Sequence, residues 1–274
     1  MKSYLEIIRS QQRPFRFLLA RILAVSGLCR LLIIEQHGYR LRFYPSNLTE
    51  QLWINPNCRT EALMFFNDYP KAGDRVIDVG ANIGDTALTT AKLVGSRGCV
   101  WAIEPHPRTF RFLLGNLRLN RISNVVAINS AAGRESGFVT FSDDRRDDIN
   151  RVGTGALNIP VQKLDDLVTC RETIALLKVD VEGYEKPVFE GADNLLTRTQ
   201  CLHFEISKTH FSRFGYTISD LLKLLESKGF ELFRISSGRV LKRINANYDT
   251  PLVGDAIGLR DSSDFTARTN WNIQ

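Results

Sequence analysis

The stretch Val76-Ile-Asp-Val-Gly-Ala-Asn-Ile-Gly-Asp85 constrains this chain more than any other. An apolar run closes around Asp78, glycines follow at Gly80 and Gly84, and residues 86–94 continue with helical character. That order predicts a buried parallel strand, a tight glycine turn and a helix start, the junction at which open α/β sheets bind nucleotide-like ligands. Glycines there would let the backbone approach such a ligand with no Cβ between. The spacing departs from the dinucleotide fingerprint, whose first two glycines are one residue apart and whose loop holds a pyrophosphate. Here Asp78 and Asn82 are set around the turn. A carboxylate suits a cationic or zwitterionic ligand better than a phosphate.

Further strand ends carry chemistry. Val100-Trp-Ala-Ile-Glu104-Pro105 predicts a second strand closing on a carboxylate, and Glu104 lies 20 residues beyond Gly84. At that interval an acidic residue can bind a ribose diol. Lys178-Val-Asp180-Val-Glu182 alternates, which puts its charged groups on one side if the strand persists that far. A buried lysine is costly unless paired or at a cleft edge, so Lys178 and Asp180 form a structural ion pair, belong to the site, or both. His203-Phe-Glu205-Ile-Ser207 alternates in the same way, with His210 just beyond. A transfer reaction needs a group to remove the acceptor's proton. Asp180, Glu205, His210 and Lys178 are the candidates, with Glu205 expected to line the acceptor pocket. Asp180, Glu182, Glu205 and His210 could also ligate a divalent cation, but their spacing does not demand one and no metal is expected.

Three motifs, Asp78-Val-Gly-Ala-Asn-Ile-Gly84, Ala102-Ile-Glu-Pro105 and Leu177-Lys-Val-Asp-Val-Glu-Gly183, resemble those of the FkbM-type S-adenosylmethionine-dependent methyltransferases in order and spacing. The resemblance runs from about residue 61 to about residue 233. It implies S-adenosyl-L-methionine as cofactor, with the first motif at its methionine end and Glu104 at its ribose. It also implies adenine near Ser130-Ala131-Ala132, which follow a third predicted strand at 124–128. The implied cofactor-binding set is Glu61, Asp78, Gly80, Asn82, Gly84, Glu104, Ser130, Ala131, Asp180 and Glu182. The resemblance further implies O-methylation of a hydroxyl on a sugar, a lipid-linked glycan or a secondary metabolite.

Alternating strands and helices predict an α/β fold: a doubly wound, mostly parallel, seven-stranded Rossmann-like sheet with an N-terminal helical appendage. Strands are expected at 75–79, 100–104, 124–128, 174–180, 201–206 and 230–235, with 256–259 as an antiparallel seventh. Helices are expected at 60–69, 105–119, 187–196 and 217–228. Residues 137–142 read as an edge strand, 143–148 as a charged loop paired with itself, and 153–155 as a flexible turn. Residues 1–44 form a basic amphipathic segment plus a strand, and 45–274 the methyltransferase domain.

The net charge of +6 is localised. Residues 1–42 hold Lys2, Arg9, Arg13, Arg16, Arg21, Arg30, Arg40 and Arg42 against Glu6 and Glu35, which already accounts for it. Residues 43–274 are therefore neutral overall, unlike the basic face of most nucleic-acid enzymes. Within 15–34 an apolar helix places Leu18, Ile22, Val25, Cys29 and Leu32 on one face and Arg9, Arg13, Arg16 and Arg30 on the other, with Pro14 and Gly27 bounding or bending it. Arg21 and Arg30 disfavour a membrane span, each costing about 2.5–3.5 kcal/mol near a bilayer centre. Either the helix lies on an acidic membrane surface, or it docks on the protein body or on a second copy in a homodimer. Five scattered cysteines with no C-x-x-C spacing read as buried reduced thiols of a cytoplasmic protein.

Other classes fit less well. Amino-methylating nucleic-acid enzymes carry an Asn/Asp-Pro-Pro-aromatic turn where this chain has Asp180-Val-Glu-Gly, and no Pro-Cys nucleophile is present. A nicotinamide dehydrogenase lacks its third glycine. A non-catalytic scaffold does not account for Asp78, Glu104 and Asp180 together. A small-molecule or glycan acceptor remains.

Overall fold

The computed structural model describes residues 13–36, 38–144, 150–236 and 238–274. In chain order its elements are α1 (Pro14–Ser26), a 3-10 turn (Leu28–Leu31), β1 (Ile33–Gln36), β2 (Tyr39–Arg42), α2 (Asn47–Ile54), α3 (Met64–Asp68), β3 (Arg75–Val79), α4 (Asp85–Val94), β4 (Cys99–Ile103), α5 (Pro107–Leu119), β5 (Val125–Ile128), β6 (Ala131–Ala132), β7 (Gly137–Phe141) and β8 (Leu157–Gln162). There follow α6 (Leu164–Leu167), β9 (Ile174–Val179), α7 (Glu185–Glu190), α8 (Asp193–Thr197), β10 (Thr199–Ile206), α9 (Lys208–Ser212), α10 (Ile218–Ser227), β11 (Glu231–Ile235), β12 (Val240–Ile244), β13 (Gly254–Leu259), α11 (Ser262–Arg268) and β14 (Asn272–Ile273).

The central sheet runs β5-β4-β3-β9-β10-β13-β11-β12-β14. Strands β5, β4, β3, β9 and β10 are parallel, and β13 inserts antiparallel between β10 and β11. The seven expected strands are all present, and β12 and β14 extend the edge to nine. Every residue of β9 is buried, as is all of β3 beyond Arg75. Both strands are covered on two faces, which is why their sequences are apolar runs and not alternations. One face packs Leu88, Leu113, Phe65 and Phe66; the other packs Val188, Phe189, Leu221 and Leu225. The chain leaves β3 toward β5 on one side and returns through β9 to β10 on the other. The crevice at this reversal, above the C-terminal strand ends, is the ligand position of such sheets.

Several local expectations change. The apolar stretch 15–34 is not one helix. Gly27 takes a left-handed φ of 75° and ends α1, and the β-branched pair Ile33-Ile34 enters a hairpin with β2. Phe17 and Ala20 are the residues of α1 that pack inward, whereas Ile22 and Val25 are exposed. Residues 137–142 supply an edge strand as expected, β7, but of a separate three-stranded sheet with β6 and β8. Only Met64–Asp68 of the expected helix at 60–69 is helical. The helix at 187–196 is two short helices meeting at Gly191. Thr217 does cap α10, in a reciprocal pair with Asp220. Tyr39, Leu41 and Phe43 are buried in the same core as Leu88 and Leu113, so the hairpin is welded to the body. All five cysteines are unpaired; only Cys29 and Cys201 are buried, Cys99 and Cys170 are half-buried and Cys58 is exposed. Lys2, Glu6, Arg9 and part of the charged loop (145–148) lie outside the described residues. Asp143 pairs with Arg108 and His106.

Candidate active site

The first turn leaves β3 through three residues at positive φ: Gly80 at 79°, Asn82 at 49° and Gly84 at 96°. Gly80 lines the cavity, and the packing of the strand ends gives a second reason for it beside ligand approach. A Cβ on Gly80 would sit 1.9 Å from the backbone oxygen of Asp180, so the glycine is required because two strand ends touch. A Cβ on Gly84 would press on Leu113 at 2.7 Å, a contact between helices. Asn82 tolerates its left-handed conformation by accepting a hydrogen bond from the Ile83 amide at 2.7 Å.

Glu104, just beyond β4, is buried and grips this turn. Its Oε2 accepts from the Asn82 amide and its Oε1 from the His106 amide, both at 2.9 Å. Ser130 and Ala131 follow β5, and the Ser130 hydroxyl donates to the backbone of Ala131 and Pro160.

Asp78 and Lys178 are directly opposed across β3 and β9. Lys178 Nζ donates to Asp78 Oδ1 at 2.9 Å and to the Gly80 carbonyl at 3.1 Å, and lies 3.7 Å from Asp180. The carboxylates hold the ammonium charged against the desolvation that burial imposes. The sequence paired Lys178 with Asp180; its tighter partner is Asp78. Asp78 is fully buried and is not in the cavity wall, whereas Lys178 and Asp180 are.

At the end of β10, Glu205 Oε2 lies 3.1 Å from His210 Nδ1, and Glu182 Oε2 lies 3.5 Å from the same nitrogen. Burial, then the charges of Asp180, Glu182, Glu185 and Asp255, push the Glu205 carboxyl up to about 9. Burial and the nearby Arg213 and Arg151 lower His210. β9 stops at Val179, so Glu182 reaches the same cavity from a turn, at a φ of 57°, and not along the strand. Beneath it, fully buried Glu185 accepts from the Val181 and Gly183 amides at 3.0 and 3.3 Å. His203 shares the β10 face of Glu205 but is buried against Phe65 and Phe66, with its pKa lowered by burial.

These ends enclose a cavity of about 330 Å3. Gly80, Asn82, Glu104, Ser130, Ala131, Lys178, Asp180, Glu182 and Glu205 are in its wall. His210 stands behind Glu182 and Glu205. Gly84 caps α4 outside the wall, and Glu61 is exposed and outside it too. Arg59, two residues before Glu61, takes a place in the wall, with Nε 3.0 Å from buried Asp85, to which the Tyr39 hydroxyl also donates. Sequence reasoning missed Arg59, Asp85 and the α2 residues Asn47, Leu48 and Gln51, which also line the cavity. The usable signal for α2 was Ser46, whose side chain accepts from the Thr49 amide as a helix N-cap.

The wall carries Asp85, Glu104, Asp180, Glu182 and Glu205 against Arg59 and Lys178. That balance suits a cationic group and repels a phosphate chain. Glu182, Glu205 and His210 bring ligating atoms within 4.8 Å of one another, compatible with a cation and equally with the ion pairs they form.

Comparison with known proteins now decides the family, because the model of the methyltransferase FkbM domain matches residues 78–232. The chain belongs to the FkbM methyltransferase family. As an FkbM methyltransferase it is an S-adenosylmethionine-dependent enzyme. It is similar to the hexuronic acid methyltransferase AglP of Haloferax volcanii, 30% identical over 201 residues that cover 71% of this chain and 79% of that one. It is also similar to methyltransferase 1 of Beauveria bassiana, 27% identical over 43% of this chain and 58% of that one. Among solved structures, an S-adenosylmethionine-dependent O-methyltransferase of Thermotoga maritima is 15% identical, with a TM-score of 0.44 over 74% of this chain and 65% of that one. Fibrillarin of Aeropyrum pernix with bound S-adenosyl-L-methionine is 17% identical, with a TM-score of 0.41 over 69% of this chain and 67% of that one. Both structural likenesses are faint and say nothing of the acceptor. No helix among the described residues is long and apolar enough to cross a membrane.

Proposed function

We propose that this FkbM enzyme is an O-methyltransferase acting on a hydroxyl of a sugar, as part of a glycan, a lipid-linked glycan or a small glycosylated metabolite. The observation that carries the reading is Glu205: a cavity-wall carboxyl pushed up to about 9 and hydrogen-bonded to His210. An ordinary carboxylate is a poor acceptor for a hydroxyl proton. One whose proton affinity is raised by burial and neighbouring acids is a far better one.

The cofactor fits the residues present, because an acidic wall complements a sulfonium. S-adenosylmethionine, when bound, supplies an electrophilic methyl group and a neutral thioether leaving group. Glu104 would hold the ribose hydroxyls while keeping the Asn82 turn in place. Gly80, Asn82 and Asp180 would surround the methionine end, with Arg59 available to its carboxylate. Ser130 and Ala131 would edge the adenine. Glu205 removes the acceptor proton, and His210 orients it from behind. Lys178 stays charged against Asp78 and fixes the two strand ends, a positioning role. The 30% identical hexuronic acid methyltransferase supports a sugar as the acceptor class.

The test is transfer of labelled methyl from S-adenosylmethionine into cell extract split into glycan, lipid-linked glycan, protein and nucleic-acid fractions. The reading expects label in a sugar fraction that resists saponification, as an ether does and an ester does not. Label confined to protein or nucleic acid overturns it.

A further inference from the structure

The helix α1 shows two faces with different partners. Phe17 and Ala20 are buried against the body, and Arg13 and Arg16 donate to the Ile54 and Trp53 carbonyls at the end of α2. The opposite face is covered by nothing described. Phe15 is 87% exposed, Ile22 63% and Val25 87%, and Leu19 is exposed with them. The exposed row continues past Gly27 through Leu28, Leu31 and Ile33. A contiguous apolar row of this kind on a soluble body marks an interaction surface.

Its charges indicate what it meets. At about 100° per residue, Arg16 lies along one edge of the apolar face and Arg21 along the other. Arg30 stands at its far end, whereas Arg13 falls on the buried side and is engaged with the Ile54 carbonyl. The acids between residues 13 and 50 are Glu35 and Glu50, and Glu50 is engaged by Arg21 at 3.1 Å. A symmetric contact between two copies would bring two arginine-flanked rows together with Glu35 as the one acid of residues 13–50 left to offset them, which is unfavourable. An anionic lipid surface accepts the apolar row into its headgroup boundary and the arginines among its phosphates.

We infer that the exposed face of α1, extended by Leu28, Leu31 and Ile33, docks this protein on an anionic membrane surface. The docking does not depend on the proposed methyl transfer, but it has a consequence for it. Helix α2 receives α1 on one side and lines the cavity with Asn47, Leu48 and Gln51 on the other. A lipid surface under α1 is thus one helix away from the cavity, a position suited to an acceptor carried on a lipid.

The full chain is pelleted with phosphatidylcholine vesicles containing phosphatidylglycerol and, separately, with phosphatidylcholine alone. The inference expects binding to the anionic vesicles that falls at least about tenfold in the Ile22→Asp/Val25→Asp variant, because two apolar anchors are lost. Binding should also fall in Arg30→Glu, and on raising salt from about 0.1 to about 1 M, which shortens screening from about 10 to about 3 Å. Unchanged thermal unfolding and S-adenosylmethionine affinity in the variants would show that the fold is intact. Three results overturn the inference: no pelleting with either vesicle, equal pelleting with both, or a wild-type dimer in sedimentation velocity that Ile22→Asp/Val25→Asp dissociates. Pelleting is read without any acceptor, so its failure is separate from failure of methyl transfer.

Discussion

Lys178 Nζ lies 2.9 Å from Asp78 Oδ1, joining the directly opposed central strands β3 and β9 with both side chains buried. Two further site-forming residues hang on this pair, because Lys178 also binds the Gly80 carbonyl and faces Asp180. Removing one partner leaves the other charge buried and unpaired. Lys178→Met is expected to cost about 3–5 kcal/mol of stability, with Lys178→Met/Asp78→Asn recovering part of it. Denaturant unfolding of the single and double variants measures this. A single variant as stable as the wild type would contradict the structural role.

Gly80→Ala places a methyl group where the Asp180 carbonyl already stands, at a φ of 79° that L side chains rarely adopt. The expected loss is about 2–4 kcal/mol, together with weakened cofactor binding, since the β3 and β9 ends must part. Thermal unfolding and calorimetric titration with S-adenosylmethionine would read both. Normal stability with weak binding alone would leave ligand approach as the reason for the glycine and contradict the packing one.

The acid cluster makes stability fall with rising pH. Glu205 has a folded pKa of about 9 against an ordinary 4.5, and Glu185 one of about 7, both chiefly through burial. A raised carboxyl pKa means the folded state holds the proton more tightly. Its contribution is present below pH 4.5 and is lost as pH rises through 7 for Glu185 and 9 for Glu205. Glu205→Gln, which keeps the shape without the charge, is expected to raise stability near pH 9 by about 1–3 kcal/mol and to change little near pH 5. Equal stability of variant and wild type across that range would show that Glu205 is not strained by its neighbours.

Chelation separates two uses of one cluster. With Glu205 as proton acceptor, dialysis against a chelator should leave methyl transfer unchanged. Loss of activity that Mg2+ restores would make Glu182, Glu205 and His210 a metal centre instead.

The sequence was most legible where one residue type had one physical use. Apolar runs ending in Asp78, Glu104 and Asp180 marked the strands around the crevice, and alternation placed Glu205 at its rim. What it did not show came from long-range packing. Nothing near Gly80 reveals that the Asp180 carbonyl will occupy its Cβ position, nor does local sequence select Asp78 over Asp180 for Lys178. Arg59 and Asp85 lie 26 residues apart and meet only after folding. The partner of helix α1 was left open for a simpler reason. Periodicity identifies an apolar face but cannot say whether protein will cover it, and here Phe17 and Ala20 turned inward while Ile22 and Val25 did not.

The central claim, that Glu205 takes the proton of the acceptor hydroxyl, is tested most directly by the pH dependence of kcat/KM for the methyl donor, using the labelled sugar fraction as acceptor. This parameter reports the free enzyme, in which Glu205 titrates near 9 and must be ionised to act. The wild-type value should climb roughly tenfold per pH unit below that point and then level off. Glu205→Gln should lose that limb and about 10²–10⁴-fold in rate. A Glu205→Gln enzyme with the wild-type rate and the same rising limb would contradict the account.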